Sequence, residues 1–138
     1  THEDGLGLMT PVKEYGSNFS AGQRQMLCLA RALLRETKIV CLDEATASVD
    51  NESDLMMQKV ISQEFKDKTV MTIAHRINTI IESNRVLCMA SGKVLSYDTP
   101  SKLLEDSSSI FAQLVLETGE ASAKNLKQRA NELEKQRR

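Results

Sequence analysis

The run Ile39-Val40-Cys41-Leu42, ending abruptly in Asp43-Glu44, most constrains what this chain can fold into. Four apolar residues without polar alternation are the mark of a strand buried on both faces, which occurs in parallel sheets covered by helices. The two acids then stand at the carboxyl end of that strand. A second β-rich run, Thr69 to Ala74, ends in the same way at His75, and residues 51 to 65 between the two read as a helix. Upstream, Met26, Leu27, Ala30, Leu33 and Leu34 recur at helical spacing until about Glu36, and Ser20 is placed to cap that helix. Helix and strand alternate twice, which predicts an α/β fold with parallel core strands flanked by helices.

The pattern continues more weakly past His75. Residues 77 to 83 read as a short helix, and Arg85 to Ala90 as a third strand. Ser91-Gly92 turns the chain into a hairpin partner at Val94 to Tyr97. Pro100 can open a helix that runs through Leu104, and Ile110 to Leu116 is the last strong apolar cluster. This predicts a compact portion over 1–118 and a polar, basic tail over 119–138. From Ala121 onward the tail has six Lys or Arg against two Glu, with Leu126 and Leu133 as its only large apolar residues. So thin a stripe predicts a solvated helix, or a basic contact with acidic lipid headgroups or a partner. The polar, glycine-containing opening THEDGLGLMTPVKEYGSN begins at Thr1 rather than a methionine and reads as the start of a cut domain.

Composition narrows the function classes. With 41% hydrophobic and 27% charged residues and a net charge of −1, the chain has no electrostatic bias toward nucleic acid or membrane. No apolar run approaches the roughly 18 residues that a membrane span needs, and the first residues carry no signal-peptide pattern. Cys28, Cys41 and Cys88 sit singly in apolar segments, without zinc-site or redox-pair spacing, and read as buried free thiols.

The chemistry gathers at three points. Asp43, a carboxylate at a strand end, suits Mg²⁺, which prefers oxygen ligands and keeps part of its water shell. Glu44 can orient or deprotonate a water that attacks phosphorus. His75 can donate a hydrogen bond to a transferring phosphate or fix a water. Ser20 and the backbone N–H groups around Ala21 and Gly22 offer donors at the positive end of a helix, where Gly22 permits close approach. Each point taken singly has a plainer reading: acids that solubilise a strand end, a structural histidine, an ordinary N-cap. His2, in the irregular opening, has no such context.

Order and spacing draw these points together. SAGQRQ, then IVCLDEATASVD, then TIAHR, in one alternating chain, resembles the C-terminal half of an ATP-binding cassette (ABC) nucleotide-binding domain over about Gly5 to Leu116. The wording NFSAGQRQMLCLARALLR with LDEATASVD looks most like the second such domain of the C subfamily, the multidrug resistance-associated group. By this resemblance Ser20, Ala21, Gly22 and Gln23 match the signature motif and Ile39 to Asp43 the Walker B strand. Asp43 would serve Mg²⁺ through water, and Glu44 would be the general base. Ala47-Ser48-Val49-Asp50 matches the D-loop, which implies a nucleotide contact for Asp50, and His75 matches the switch histidine. Two departures from the commoner signature stand out: Phe19 replaces leucine, and Ala21 replaces the first glycine. No GxxxxGK[ST] loop occurs in the 138 residues.

The resemblance implies an ATPase coupled to transmembrane transport, with ATP and Mg²⁺ as its ligands. A second nucleotide-binding domain, paired head to tail, and the transmembrane domains would be its partners, at the cytosolic face of a membrane. Without the phosphate loop the 138 residues alone are expected to be inactive. Two alternatives stand beside it: a non-catalytic lobe that acts only through a partner domain, and a lobe of a chromosome-maintenance or DNA-repair ATPase. Nothing upstream of Phe19 has the heptad spacing that the latter would show.

Overall fold

The computed structural model describes residues 7–44, 49, 51–74 and 76–137. They form two compact units, one ending at Ile73 and the other running from Ala74. The expected division at Thr118 is therefore not where the packing divides.

In the first unit, a 3-10 turn at Glu14–Gly16 leads to α1 (Ala21–Leu33), β1 (Ile39–Asp43), α2 (Asn51–Glu64) and β2 (Thr69–Ile73). β1 and β2 pair in parallel, from Ile39 opposite Thr69 to Asp43 opposite Ile73. Val40 of β1, Leu29 of α1, Val49, Met57 of α2 and Phe65 form the core, with Met26, Leu42, Val60 and Val70 against it. The strand is covered on one face only: Ile39 is 61% exposed, and Met71 and Ile73 of β2 are 59% and 58% exposed. The expectation of burial on both faces fails because α1 and α2 cover the side of Val40 and Leu42, while no described element of this unit covers the other. Cys41 points to that open face and Cys28 is exposed as well, so only Cys88 is the buried thiol expected of all three.

The second unit contains α3 (Ile77–Ile81), β3 (Val86–Ala90), β4 (Lys93–Asp98), α4 (Pro100–Glu105), α5 (Ile110–Leu116) and α6 (Glu120–Gln136). β3 and β4 form an antiparallel hairpin. Ser91 and Gly92 turn it with φ of 49° and 74°, the left-handed pair that a two-residue hairpin loop requires. Thr99 caps α4, with Pro100 in its first turn, and Ser109 caps α5 by accepting the Ala112 N–H at 3.0 Å.

The segment expected to be solvated is a packed helix. Ala123, Leu126 and Ala130 of α6 are buried in one core with Ile81, Val86, Cys88, Leu103, Leu104, Phe111 and Val115, and Leu133 lies against it. These four α6 positions fall on one helical face, and the alanines let the helix approach α4 and α5 closely, which a count of large apolar residues misses. Ser101, buried in α4, donates to Glu134 of α6 at 2.8 Å. No helix among the described residues is long and apolar enough to cross a membrane.

If α6 is core, Leu126→Ala should destabilise the protein by about 2–5 kcal/mol, the range for truncating a buried leucine, whereas Lys127→Ala on the exposed side should be near neutral. Urea unfolding followed by circular dichroism measures both. Equal, negligible effects would return α6 to the status of a solvated tail.

Candidate functional site

The mouth of α1 is built by its own side chains. Ser20, in extended conformation, accepts the Gln23 N–H on its Oγ at 3.1 Å, and the Gln23 side-chain oxygen accepts the Ser20 N–H at 2.9 Å. This reciprocal capping box fixes the first turn. The N–H groups of Ala21 and Gly22 are left without intrahelical acceptors at the positive end of a 13-residue helix. The Ser20 hydroxyl, already an acceptor, keeps its proton for a further partner.

Two residues not singled out in the sequence support this mouth. The Arg24 guanidinium donates to the carbonyl of Phe19 at 2.6 Å and to that of Gly16 at 3.4 Å. Gly16 turns with φ of 62°, and a Cβ there would stand 3.2 Å from Arg24 Cδ. The Asn18 side chain accepts the Lys13 N–H and donates to the Pro11 carbonyl, closing the loop before Ser20. A signal was available: an arginine four residues into a helix lies over the turn before it.

Gly22 is not required by its own fold. A Cβ on it would meet Val49 Cγ1 at 3.4 Å, an ordinary contact. The missing Cβ therefore relieves no clash among the described residues. Val49, buried at 6% exposure, lies in one core with Leu29 of α1.

The carboxylates stand at the carboxyl edge of the parallel pair. Asp43 ends β1 opposite Ile73, and the Glu44 N–H donates to the Ile73 carbonyl at 3.0 Å. Both acids are exposed. Glu44 has φ of 47°, a left-handed conformation that costs a non-glycine residue about 1 kcal/mol and collects at functional sites. A single exposed carboxylate at a strand end fits Mg²⁺, which takes one or two carboxylates and fills its remaining positions with water and phosphate oxygens. Among the described residues no group of three metal-ligating side chains occurs. The structure thus brings Ser20 through Gln23 into one helix mouth and Asp43 and Glu44 onto one sheet edge. Ala47, Ser48, Asp50 and His75 lie outside the described residues.

Comparison with known proteins decides the family. A family model described as ABC transporter matches residues 4–47. ABC transporter C family member 13 of Oryza sativa subsp. indica is 58% identical over 110 residues, 80% of this chain and 7% of the rice protein. The chain belongs to the ABC transporter family, in its C group. ABC transporter C family member 5 of Arabidopsis thaliana is 56% identical over 112 residues, 81% of this chain and 7% of that protein. Bile pigment transporter 1 of Saccharomyces cerevisiae is 56% identical over 103 residues, 75% of this chain and 7% of its own length. This ABC chain therefore spans about 7% of the length of these curated relatives.

The local physics of the signature is separable from its ligand. Ser20→Ala should cost about 1 kcal/mol through loss of the cap. Gly22→Ala should leave the thermal midpoint unchanged or slightly raised, since alanine favours a helix by up to about 1 kcal/mol over glycine. A marked fall in the midpoint for Gly22→Ala would show that the fold, not an external ligand, needs the glycine.

Proposed function

We propose that this chain is the signature-bearing part of the second nucleotide-binding domain of an ABC exporter of the C group. In the intact protein it would bind and hydrolyse ATP to drive transmembrane transport. The observation that carries this reading is Glu44, an exposed carboxylate held in left-handed backbone at the edge where Asp43 ends the strand.

In this reading each residue takes one role. Ser20 donates its hydroxyl, and Ala21 and Gly22 their N–H groups, to the terminal phosphate of an ATP held by the paired domain. Gln23 holds Ser20 in position through the capping box. Asp43 holds Mg²⁺ through water; when bound, the ion neutralises charge on the phosphate oxygens. Glu44 accepts the proton of the attacking water. His75 donates a hydrogen bond to the transferring phosphate, and Asp50 reaches the nucleotide across the domain pair. The transmembrane domains and the second nucleotide-binding domain are the partners, at the cytosolic face of a membrane. The transporter relatives do not favour the DNA-repair alternative.

The absence of a GxxxxGK[ST] loop from these 138 residues favours a narrower role for the isolated chain. The backbone cradle and its lysine supply most phosphate contacts in such enzymes, so only the contribution of Ser20 and Gly22 to a partner's nucleotide persists. Titration of the 138-residue chain with ATP in a calorimeter should give no micromolar binding; heat of micromolar affinity would overturn this.

In the full-length protein, Glu44→Gln should lower phosphate release at the site it serves by at least about 100-fold, the usual worth of a general base, with ATP binding retained. Undiminished turnover would remove Glu44 from the role of base.

A further inference from the structure

Arg129 and Arg137, on α6, have no part in the nucleotide reading, yet both reach back to the carboxyl end of α3. The Arg137 guanidinium donates to the Ser83 carbonyl at 2.8 Å and to the Glu82 carbonyl with its other nitrogen. Arg129 pairs with the Glu82 carboxylate. Ile81, the last residue of α3, is fully buried in the core that α6 completes, and Leu133 of α6 packs on that core beside Ile77 and Ile80.

We propose that α6 is a clamp on α3 and that Arg129 and Arg137 are positioning residues for His75, an inference that rests on the switch role proposed above for that histidine. A helix of five residues cannot hold itself, because nucleation costs more than so few bonds return. At its amino end, Arg76 supplies no side-chain cap. At its carboxyl end, Ser83 turns back, its hydroxyl donating to the Ile80 carbonyl at 2.6 Å. The carbonyls beyond that turn fall to the planar fork of Arg137, which holds two acceptors at once as a lysine cannot. Arg129 and Glu82 are about half exposed, so their pair contributes register more than energy. In sequence, Arg76 alone separates His75 from Ile77, the first residue of α3, so a displacement of the helix would be passed to the histidine.

The test uses the full-length protein and its ATP hydrolysis. Arg137→Ala should lower kcat about three- to tenfold, the net worth of one typical hydrogen bond to a positioned group, with KM for ATP unchanged. In a His75→Ala background the same substitution should change nothing further. Arg129→Glu and Glu82→Arg should each lower kcat, and the exchanged pair should restore it, which also guards against a variant that merely fails to fold. An unchanged kcat for Arg137→Ala, beside a reduced one for His75→Ala, would overturn the clamp alone. The same loss in both backgrounds would also overturn it, by showing a general structural effect. If His75→Ala leaves kcat intact, the switch role fails, and any loss from Arg137→Ala is then not exerted through the histidine.

Discussion

The in-step ending of two parallel strands is the constraint on which the candidate site depends. Asp43 stands opposite Ile73, and the Glu44 N–H is bound to the Ile73 carbonyl. This last bond lies one residue beyond the ladder, where the chain would otherwise be free to splay. It holds Glu44 in a conformation that a non-glycine residue adopts at a cost, while both acids remain in contact with solvent. A register slip of one residue would exchange the faces of the strand, placing Ile39 and Cys41 where Val40 and Leu42 now pack. The buried identity of Val40, with Leu29, Met57 and Phe65 around it, therefore fixes where the carboxylates emerge.

The helix mouth is organised by different means, since no sheet supports it. The exchange between Ser20 and Gln23 satisfies two groups that would otherwise compete for a ligand, and Arg24 ties the incoming loop to the same turn. The donors left over, at Ala21 and Gly22, are therefore held in a fixed orientation. Preorganised donors of this kind are worth more than flexible ones because little ordering remains to be done on binding. Ala21 stands where the commoner signature has glycine.

How much of this was legible in the sequence depended on the kind of signal. Ser20 as a cap and the hairpin turn at Ser91-Gly92 were readable because each rests on neighbours in the chain. The strand ends were readable because an apolar run broken by acids has few other interpretations. What failed concerned packing against distant elements. Ile39 and Cys41 are apolar, as a strand between two helical layers requires, but sequence does not say which layers are present. Arg24 carried no signal of its own in the sequence, and its role emerges only when the Phe19 carbonyl is seen to face it.

The largest misreading, that of α6, has a general cause. Its buried stripe is Ala123, Leu126, Ala130 and Leu133, and alanine adds little to an apolar count while allowing the closest approach of helices. Its cations looked like a solvated face, yet Arg129 and Arg137 serve groups 47 and 55 residues away. Contacts of such separation must overcome loop-closure entropy, which grows only slowly with length. The burial of Ile81, Phe111 and Val115 against one face can meet that cost, since each wholly buried apolar side chain contributes about 1.5–3 kcal/mol. A boundary drawn at Thr118 would cut through this core: α3 would lose the two cations at its carboxyl end, and Ile81 part of the surface that buries it.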